Sequence, residues 1–525
     1  MRTDLAVIGA GPAGLAAALA ASVRGVRVAL VDGAAEPGGQ FWRQPATGLG
    51  ARRPEALHHQ WRTWRRLREQ LAASDVRVLT EYHVWAVQRD PEGFTVHALL
   101  GPEQEDPAEV RAEAVLLATG GHETVLPFPG WTLPGVVTAG GAQAMLKGGL
   151  VVPGRRAVVS GTGPLLLPVA TGLAAAGVEV AALVESAGPG RLLRHGRALA
   201  AKLPEGAGYA ARLMRHRVPL LAHHTVVRAH GDDRLTGVTV AALDPGGRVR
   251  PGTERLLLCD TLAVSHGMLP HTDLAEGLGC RLDGTAVAVD DEQRTDVPGV
   301  WAAGEATGIG GAALSLAEGH LAGRSVAARL RGTAPAPAPA AVKARARLRV
   351  FAKALETVYA PPPHWTDRVG DDTVVCRCEE VTAGAVREAL DLGAGDVRTV
   401  KLLTRAGMGW CQGRMCAPAV AGLTGCELPQ ARRTFARPVP LGVLAGLDVG
   451  SSQDSAAGQG SEAQPYSGTG RRLEPGEGGE TDHHADPGRP SGPARRCAPA
   501  PHPETTHTPA APPPEPRDHP EEDPS

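Results

Sequence analysis

The stretch from Asp4 to Asp32 constrains this chain more than any other. Leu5-Ala6-Val7-Ile8 reads as a buried strand. Gly9-Ala10-Gly11-Pro12-Ala13-Gly14 is a G-x-G-x-x-G turn opening directly into an alanine-rich helix over 15–22, and 26–31 is a second strand ending in Asp32. In such a unit Gly9 permits the tight turn, Gly11 lets a pyrophosphate approach the backbone, and Gly14 lets helix and strand pack closely. The free N–H groups at the helix start face the anion. Asp32, eighteen residues beyond Gly14, stands where a carboxylate accepts hydrogen bonds from a ribose diol. Strand, turn, helix and acid in this register predict a dinucleotide cofactor.

At 525 residues the chain exceeds one hydrophobic core, so two or three domains are expected. Its 54 basic and 56 acidic side chains give a formal net charge of -2. No overall field draws it to nucleic acid or an anionic membrane, and small molecules and proteins are the expected partners. The glycine fingerprint sits inside the N-terminal apolar stretch with no cleavage site after it, and no long apolar run suggests a membrane span, so a cytoplasmic location is expected. Four of the eight cysteines lie between Cys376 and Cys416, a cluster that in a cytoplasmic chain suggests metal rather than disulfides.

Taken in order, Glu36-Pro37-Gly38-Gly39-Gln40 places a glycine pair close to the cofactor acid. Apolar residues at helical spacing over 57–71 predict a helix whose arginines form a solvated face. Segments 76–79, 83–88 and 94–99 predict a small β-meander. Residues 114–121 read as a buried strand ending at Thr119-Gly120-Gly121, where backbone must pass close to a strand or the cofactor. Residues 127–150 read mainly as crossover. The opening pattern then returns: a strand over 157–160, Gly161-Thr162-Gly163-Pro164, a helix over 165–176, and a strand over 178–184 ending in Glu185. Gly9 and Gly161 are 152 residues apart. Leu166 replaces the third glycine of the second unit, which leaves two alternatives, a working site or a retained scaffold. Glu185 would suit the unphosphorylated ribose of NAD or an adenine nucleotide.

Residues 190–217 read as helical and 218–262 as short strands with a hairpin turn at Asp244-Pro245-Gly246-Gly247, while Cys259 and Cys280 read as core residues. A strand then ends at Gly304 and Glu305, and Gly308-Ile309-Gly310-Gly311 leads into a helix to about 330. The Ala/Pro run 333–341 predicts an extended spacer, followed by a basic helix over 343–359 that Pro361-Pro362-Pro363 stops. Residues 450–525 are nearly devoid of apolar side chains and are expected to be disordered, with Cys497 incidental.

The cysteine quartet is Cys376-x-Cys378 and Cys411-x4-Cys416, with Thr382 placed to cap a short helix and Cys416 to open another. Four thiolates suit tetrahedral zinc or a [2Fe–2S] cluster, and the tight C-x-C half leans only narrowly towards iron–sulfur. With Ala406-Gly407-Met408-Gly409 before Cys411, the quartet resembles the [2Fe–2S] domain of the bacterioferritin-associated ferredoxin type. The N-terminal part resembles the two-dinucleotide-fold flavoprotein disulfide-reductase superfamily. More narrowly, Pro129-Gly130-Trp131-Thr132-Leu133-Pro134-Gly135-Val136 with Thr138-Ala139-Gly140, and residues 303–311, resemble the flavoprotein α-type subunits of opine oxidases, dye-linked proline dehydrogenases and hydrogen cyanide synthase.

That resemblance implies an α/β fold. It has two Rossmann-like dinucleotide-binding domains, the FAD domain discontinuous (1–125 and 269–330) around an inserted NAD-type domain (126–268). An Ala/Pro linker (331–342), a helix plus small α-rich [2Fe–2S] domain (343–447) and a disordered C-terminal tail (448–525) would follow. FAD would be held by Gly9, Gly11, Gly14, Asp32, Gly39, Gln40, Thr119, Gly120, Gly304 and Glu305. NAD or an adenine nucleotide would be held by Gly161, Gly163 and Glu185, and the cluster by Cys376, Cys378, Cys411 and Cys416.

The implied role is an FAD and [2Fe–2S] electron-transfer subunit of a multi-subunit dehydrogenase acting on an amino acid or secondary amine, of opine, proline or glycine type. A partner flavoprotein would carry C–N oxidation, with room for a small ferredoxin-like subunit. No acid–base pair or nucleophile is assigned, and Gln40 and His122 are only placed near the flavin. Two departures stand out: Glu305 occupies a position usually held by Asp, and the flavin region has no C-x-x-C or C-x4-C pair for disulfide chemistry. The alternatives are a self-contained NAD(P)H-dependent ferredoxin-type reductase and a non-catalytic assembly subunit with structural zinc.

Overall fold

The opening strand is apolar from Leu5 to Ile8 because both of its faces are covered there. Leu5, Ala6 and Val7 are fully buried in β1 (Arg2–Ile8), the centre of a seven-stranded sheet. In this computed structural model, which describes residues 1–188, 190, 203–428, 433 and 435–446, β1 is joined by β2 (Val28–Val31), β3 (Arg77–Leu79), β4 (Tyr82–Asp90), β5 (Gly93–Leu100) and β6 (Asp106–Leu117). The order is β3-β2-β1-β6-β5-β4, and the strand Val300–Ala302 pairs with β6. The tail expected at 448–525 and the 191–202 part of the expected helical stretch lie outside the described residues.

β6 does two jobs. Its first half pairs antiparallel with β5, from Leu100 opposite Asp106 to Phe94 opposite Ala112. Its second half runs parallel between β1 and Val300–Ala302, with Leu116 beside both Val7 and Trp301. The expected meander is therefore β4-β5-β6. Residues 77–79 do not belong to it, since β3 pairs parallel with β2 at the opposite edge. The alternation of 76–79 fits either neighbour; direction is set by the preceding helix Trp61–Ala72, a crossover that buries Trp64, Leu67 and Leu71 as its spacing predicts.

The helix α1 (Pro12–Ser22) starts with proline in its first turn, where the absent N–H costs nothing. It crosses the helix Ala312–Leu330 at van der Waals distance. A Cβ on Gly319 would lie 2.0 Å from the Ala13 carbonyl oxygen and one on Gly323 2.2 Å from that of Ala17, so two glycines four residues apart make the groove that receives α1.

The inserted fold is a five-stranded parallel sheet, ordered Leu220–Ala222, Glu179–Glu185, Arg156–Gly161, Thr261–Ser265, Val136–Thr138. The expectation that 127–150 is mainly crossover is corrected: it contains the edge strand Val136–Thr138 and the helix Ala139–Gly149, capped by Thr138, whose Oγ1 accepts from the Gly141 N–H at 2.9 Å. Four glycines in that helix mask its periodicity. Cys259 and Cys280 are core residues, 4% and 6% exposed.

After the spacer, the helix Pro339–Val358 begins at Pro339, inside the segment expected to be extended, because proline fits a helix's first position. It lies on the helix Ala312–Leu330, and its Arg345 guanidinium reaches Asp291 and Arg349 reaches Glu318. The cysteine module follows: a small hairpin of Val374–Cys376 and Val381–Thr382 with the helices Ala383–Asp391, Val397–Thr404 and Ala417–Thr424 around Val375, Val386, Val400 and Val420. It is docked on the inserted fold by Leu126, which joins its core, and by Trp131, whose Nε1 donates to the Val374 carbonyl at 2.6 Å. Among the described residues no helix is long and apolar enough to cross a membrane.

Candidate functional site

One elongated cavity of about 3010 Å³ runs along the carboxyl ends of the central strands, where open α/β sheets bind ligands. It is several times larger than a single small-molecule pocket. Its walls include Gly9, Gly11 and Asp32 from the first unit, Gly39 and Gln40 from the following loop, Thr119, Gly120 and His122 after β6, and Glu305 from the third segment. The inserted fold contributes Thr162 and Gly163, and the cysteine module contributes Trp410, Cys411 and Arg414.

The first unit fits a dinucleotide. A Cβ on Gly14 would lie 1.7 Å from the Gly9 carbonyl oxygen, so no other residue lets α1 begin so close to β1. Asp32 is fixed by the N–H groups of Ala10 and Ala34, one on each oxygen, and still faces the cavity with lone pairs to spare for a ribose. Burial raises its pKa, against the pull of those two amides. Gly39, at φ +59°, brings the second glycine pair onto the first, for a Cβ there would stand 2.7 Å from the Gly11 Cα. Gln40 is exposed, and its Oε1 accepts from the Arg43 Nε at 3.0 Å.

The other two segments expected to border the flavin are each held by groups that no local pattern marks. Thr119 donates its hydroxyl to the His271 carbonyl at 2.6 Å, and the His271 N–H returns to the Gly120 carbonyl at 2.9 Å. Gly304 is held by Glu318, 1% exposed, whose Oε2 accepts from the Gly304 N–H and the Thr307 hydroxyl, both at 3.0 Å, while Oε1 accepts from Arg349 Nε at 2.9 Å. Burial raises the Glu305 carboxyl, opposed by the Gly311 N–H. Lys147, 7% exposed, donates to the Phe41 carbonyl at 2.9 Å and ties the Gln40 loop to the inserted fold; burial, then Arg43, brings its pKa down to about 8. His122 and His271, both partly buried, face each other edge-on at 6.2 Å, and desolvation lowers both, His271 to about 4.

The second unit follows the plan of the first. Glu185 accepts from the N–H groups of Gly163 at 3.1 Å and Ala187 at 2.9 Å, as Asp32 does from Ala10 and Ala34, and burial drives its pKa up to about 7. Leu166, in place of the third glycine, is accommodated by starting the helix there, later than α1 begins after Gly11. The Tyr359 carbonyl accepts from the Thr162 hydroxyl at 3.3 Å, so the chain leaving the Pro339–Val358 helix passes across this turn.

In the cysteine module Cys376 and Cys416 are buried, Cys411 is half-buried and Cys378 is exposed. Among the described residues no three His, Cys, Asp or Glu side chains are drawn into a metal-holding group. The quartet is recognised instead by its neighbourhood: Cys378 is hydrogen-bonded with Cys411 and Cys416 with Cys376, and each of these pairs feels the other electrostatically. Burial raises the Cys378 and Cys416 thiols, and the adjacent thiols add to it. The Gly407 N–H points at the Cys376 sulfur at 3.5 Å, and a Cβ on Gly409 would stand 2.3 Å from that of Cys378, so the glycine-rich turn wraps the thiols closely. Cys416 opens the helix Ala417–Thr424 from its N-cap position without a side-chain bond, and Thr382 caps Ala383–Asp391 by accepting from the Ala385 N–H, as expected. Four sulfur donors with backbone N–H groups turned towards them fit an iron–sulfur cluster.

Residues 3–342 match the pyridine nucleotide-disulphide oxidoreductase family, and residues 374–423 match the BFD-like [2Fe-2S] binding domain. The chain belongs to that oxidoreductase family. It is an FAD-dependent oxidoreductase with a [2Fe–2S] domain. Hydrogen cyanide synthase subunit HcnB of Pseudomonas aeruginosa is 36% identical over 431 residues, covering 78% of this chain and 90% of that protein. An opine oxidase subunit of Agrobacterium tumefaciens is 33% identical over 444 residues, covering 81% and 86%. Among solved structures, L-proline dehydrogenase from P. horikoshii superposes with a TM-score of 0.58 at 20% identity, over 85% of this chain and 79% of that one, which shows a shared fold. The two similar sequences are thus subunits of an oxidase and a synthase. Despite the family's name, Cys411 is the one cysteine among the described residues that line the cavity, and the segments expected to border the flavin carry no cysteine pair for disulfide exchange.

Proposed function

We propose that this chain is the FAD- and [2Fe–2S]-bearing electron-transfer subunit of a multi-subunit dehydrogenase or oxidase acting on an amino acid or secondary amine. The observation that carries this is the single cavity whose walls hold the flavin segments at one part and Cys411 at another. A flavin takes up two electrons and a [2Fe–2S] cluster passes one at a time, so two successive departures to a one-electron acceptor discharge one substrate oxidation.

In this reading Gly9, Gly11, Gly14 and Asp32 bind the pyrophosphate and ribose, Gly39 and Gln40 close over them, and Thr119, Gly120, Gly304 and Glu305 border the flavin. Cys376, Cys378, Cys411 and Cys416 hold the cluster. Near the flavin segments the cavity offers His122 and His271, both drawn to lower pKa by burial, and among the described lining residues no nucleophile paired with a base, which fits C–N oxidation on a partner flavoprotein.

A second reading, a self-contained NAD(P)H-dependent reductase, is favoured by the way Glu185 repeats the geometry of Asp32. The passage of Tyr359 across the Thr162 turn weighs against it, since an arriving nucleotide must share that space. Anaerobic mixing of the purified chain with NADH separates the two. Unbleached flavin supports the electron-transfer role, and rapid bleaching supports the reductase.

A further inference from the structure

Between the flavin segments and the cysteine loop lies one carboxylate with an unusual number of partners. Asp273, its side chain 8% exposed, accepts from Arg414 Nε at 3.0 Å and Nη2 at 2.7 Å on one oxygen, and from Arg433 Nη1 at 2.6 Å on the other. The His271 Nε2 stands 3.2 Å from the same oxygen that Arg414 uses. Arg414 is the middle of the Cys411–Cys416 loop, and it also donates to the Cys411 carbonyl at 3.3 Å and to the Ala436 carbonyl. On the other side His271 is bonded by its backbone to both Thr119 and Gly120, the second flavin segment. A continuous path therefore runs Thr119, His271, Asp273, Arg414, Cys411, through one residue of each kind and with no gap beyond hydrogen-bond distance.

We propose that Asp273 is a positioning residue, a clamp that fixes the Cys411–Cys416 loop against the flavin segments and so sets the flavin-to-cluster separation on which electron transfer depends. The inference rests on the electron-transfer reading above for its purpose, but not for its geometry. A carboxylate that met only one arginine at the surface would contribute little and would be screened by salt. This one is withdrawn from water, meets two guanidinium groups that are 17% and 22% exposed, and joins segments 141 and 160 residues away in sequence. Removing its charge leaves two half-buried guanidinium groups without their counter-charge, so the loop must open to hydrate them. Arg414 is also the only residue of the loop bonded at once to the flavin fold and to a cysteine carbonyl among the described hydrogen bonds.

The test uses the full chain in three variants, Asp273→Asn, Arg414→Gln and the double variant. Amide hydrogen exchange is followed by mass spectrometry over 407–416 and 269–276, together with flavin content, the electron paramagnetic resonance signal of the reduced cluster, and the rate at which a one-electron dye draws electrons from pre-reduced flavin. The clamp predicts that each single variant raises exchange in the 407–416 loop by about tenfold or more and that the double variant adds little further, the mark of one shared interaction. It predicts retained flavin and cluster signals, and a dye rate lowered by about tenfold or more through displacement alone. Unchanged loop exchange in both single variants, or fully additive effects in the double variant, overturns it. The exchange readout does not need the cluster, so a chain found to carry no iron would refute the functional reading while the clamp is still decided by exchange. Arg414→Gln leaves Asp273 with Arg433 and His271, which keeps the test readable if Asp273→Asn folds poorly.

Discussion

Replacing Glu185 with Gln should change how the stability of the inserted fold depends on pH. Burial raises this carboxyl from its ordinary 4.5 to about 7, against the hydrogen bonds from Gly163 and Ala187. A folded-state pKa above the unfolded one means that the folded chain holds the proton longer. The contribution is therefore fully present below pH 4.5, is lost as pH rises, and is gone above pH 7. A gap of that size corresponds to about 3 kcal/mol. Gln cannot ionise, so it loses the dependence; it also turns one acceptor into a donor against two backbone N–H groups, a constant cost of about 1–2 kcal/mol. Urea unfolding of both proteins from pH 4.5 to 8 isolates the effect, because every other titrating group cancels in the difference. The variant should be the weaker at pH 4.5 and should gain about 3 kcal/mol relative to the parent by pH 8, enough to reverse the order. A difference that stays flat across that range would refute the reasoning.

Three further substitutions probe the site. Gly14→Ala places a methyl 1.7 Å from the Gly9 carbonyl oxygen, so the chain should purify with little flavin and lose about 2–3 kcal/mol of stability, read by absorbance and thermal melting. Glu318→Ala leaves the Gly304 N–H without its buried acceptor, while the Thr307 hydroxyl keeps the Gly304 carbonyl at 2.9 Å, and should cost about 1–3 kcal/mol and weaken flavin retention in equilibrium dialysis. Arg349, 42% exposed, contributes little of that. Cys411→Ser should abolish the iron–sulfur spectrum while flavin stays bound, and full electron transfer to a one-electron dye in that variant would contradict the role given to the cluster.

What the sequence makes legible here is what is local. The strand, turn and helix around Gly9, their second copy around Gly161 and the caps at Thr382 and Cys416 each depend on residues within one or two turns, so their spacing alone declares them. The helix Ala139–Gly149 escaped because its Gly140, Gly141, Gly148 and Gly149 imitate a loop, while its stability comes from burial of Ala139, Ala142 and Leu146. Residues 77–79 alternate like any strand, and only the crossover helix decides that they run parallel to β2. The groups that hold the site together were hidden for another reason. Glu318 looks like one more acid on a helix, and Asp273 and Arg414 are 141 residues apart, so nothing in either neighbourhood announces the partner. Conversely, the passage of Tyr359 over the second turn limits what the fingerprint at Gly161 implies on its own.

The most direct test of the central claim is the electron paramagnetic resonance spectrum of the complex captured anaerobically through a tag on this chain, recorded before and after addition of a secondary-amine or amino-acid substrate. The account predicts a second flavoprotein in the complex and a reduced [2Fe–2S] signal that grows with substrate and not with NADH. Bound zinc without acid-labile sulfide, or a signal driven by NADH in the isolated chain, would contradict it.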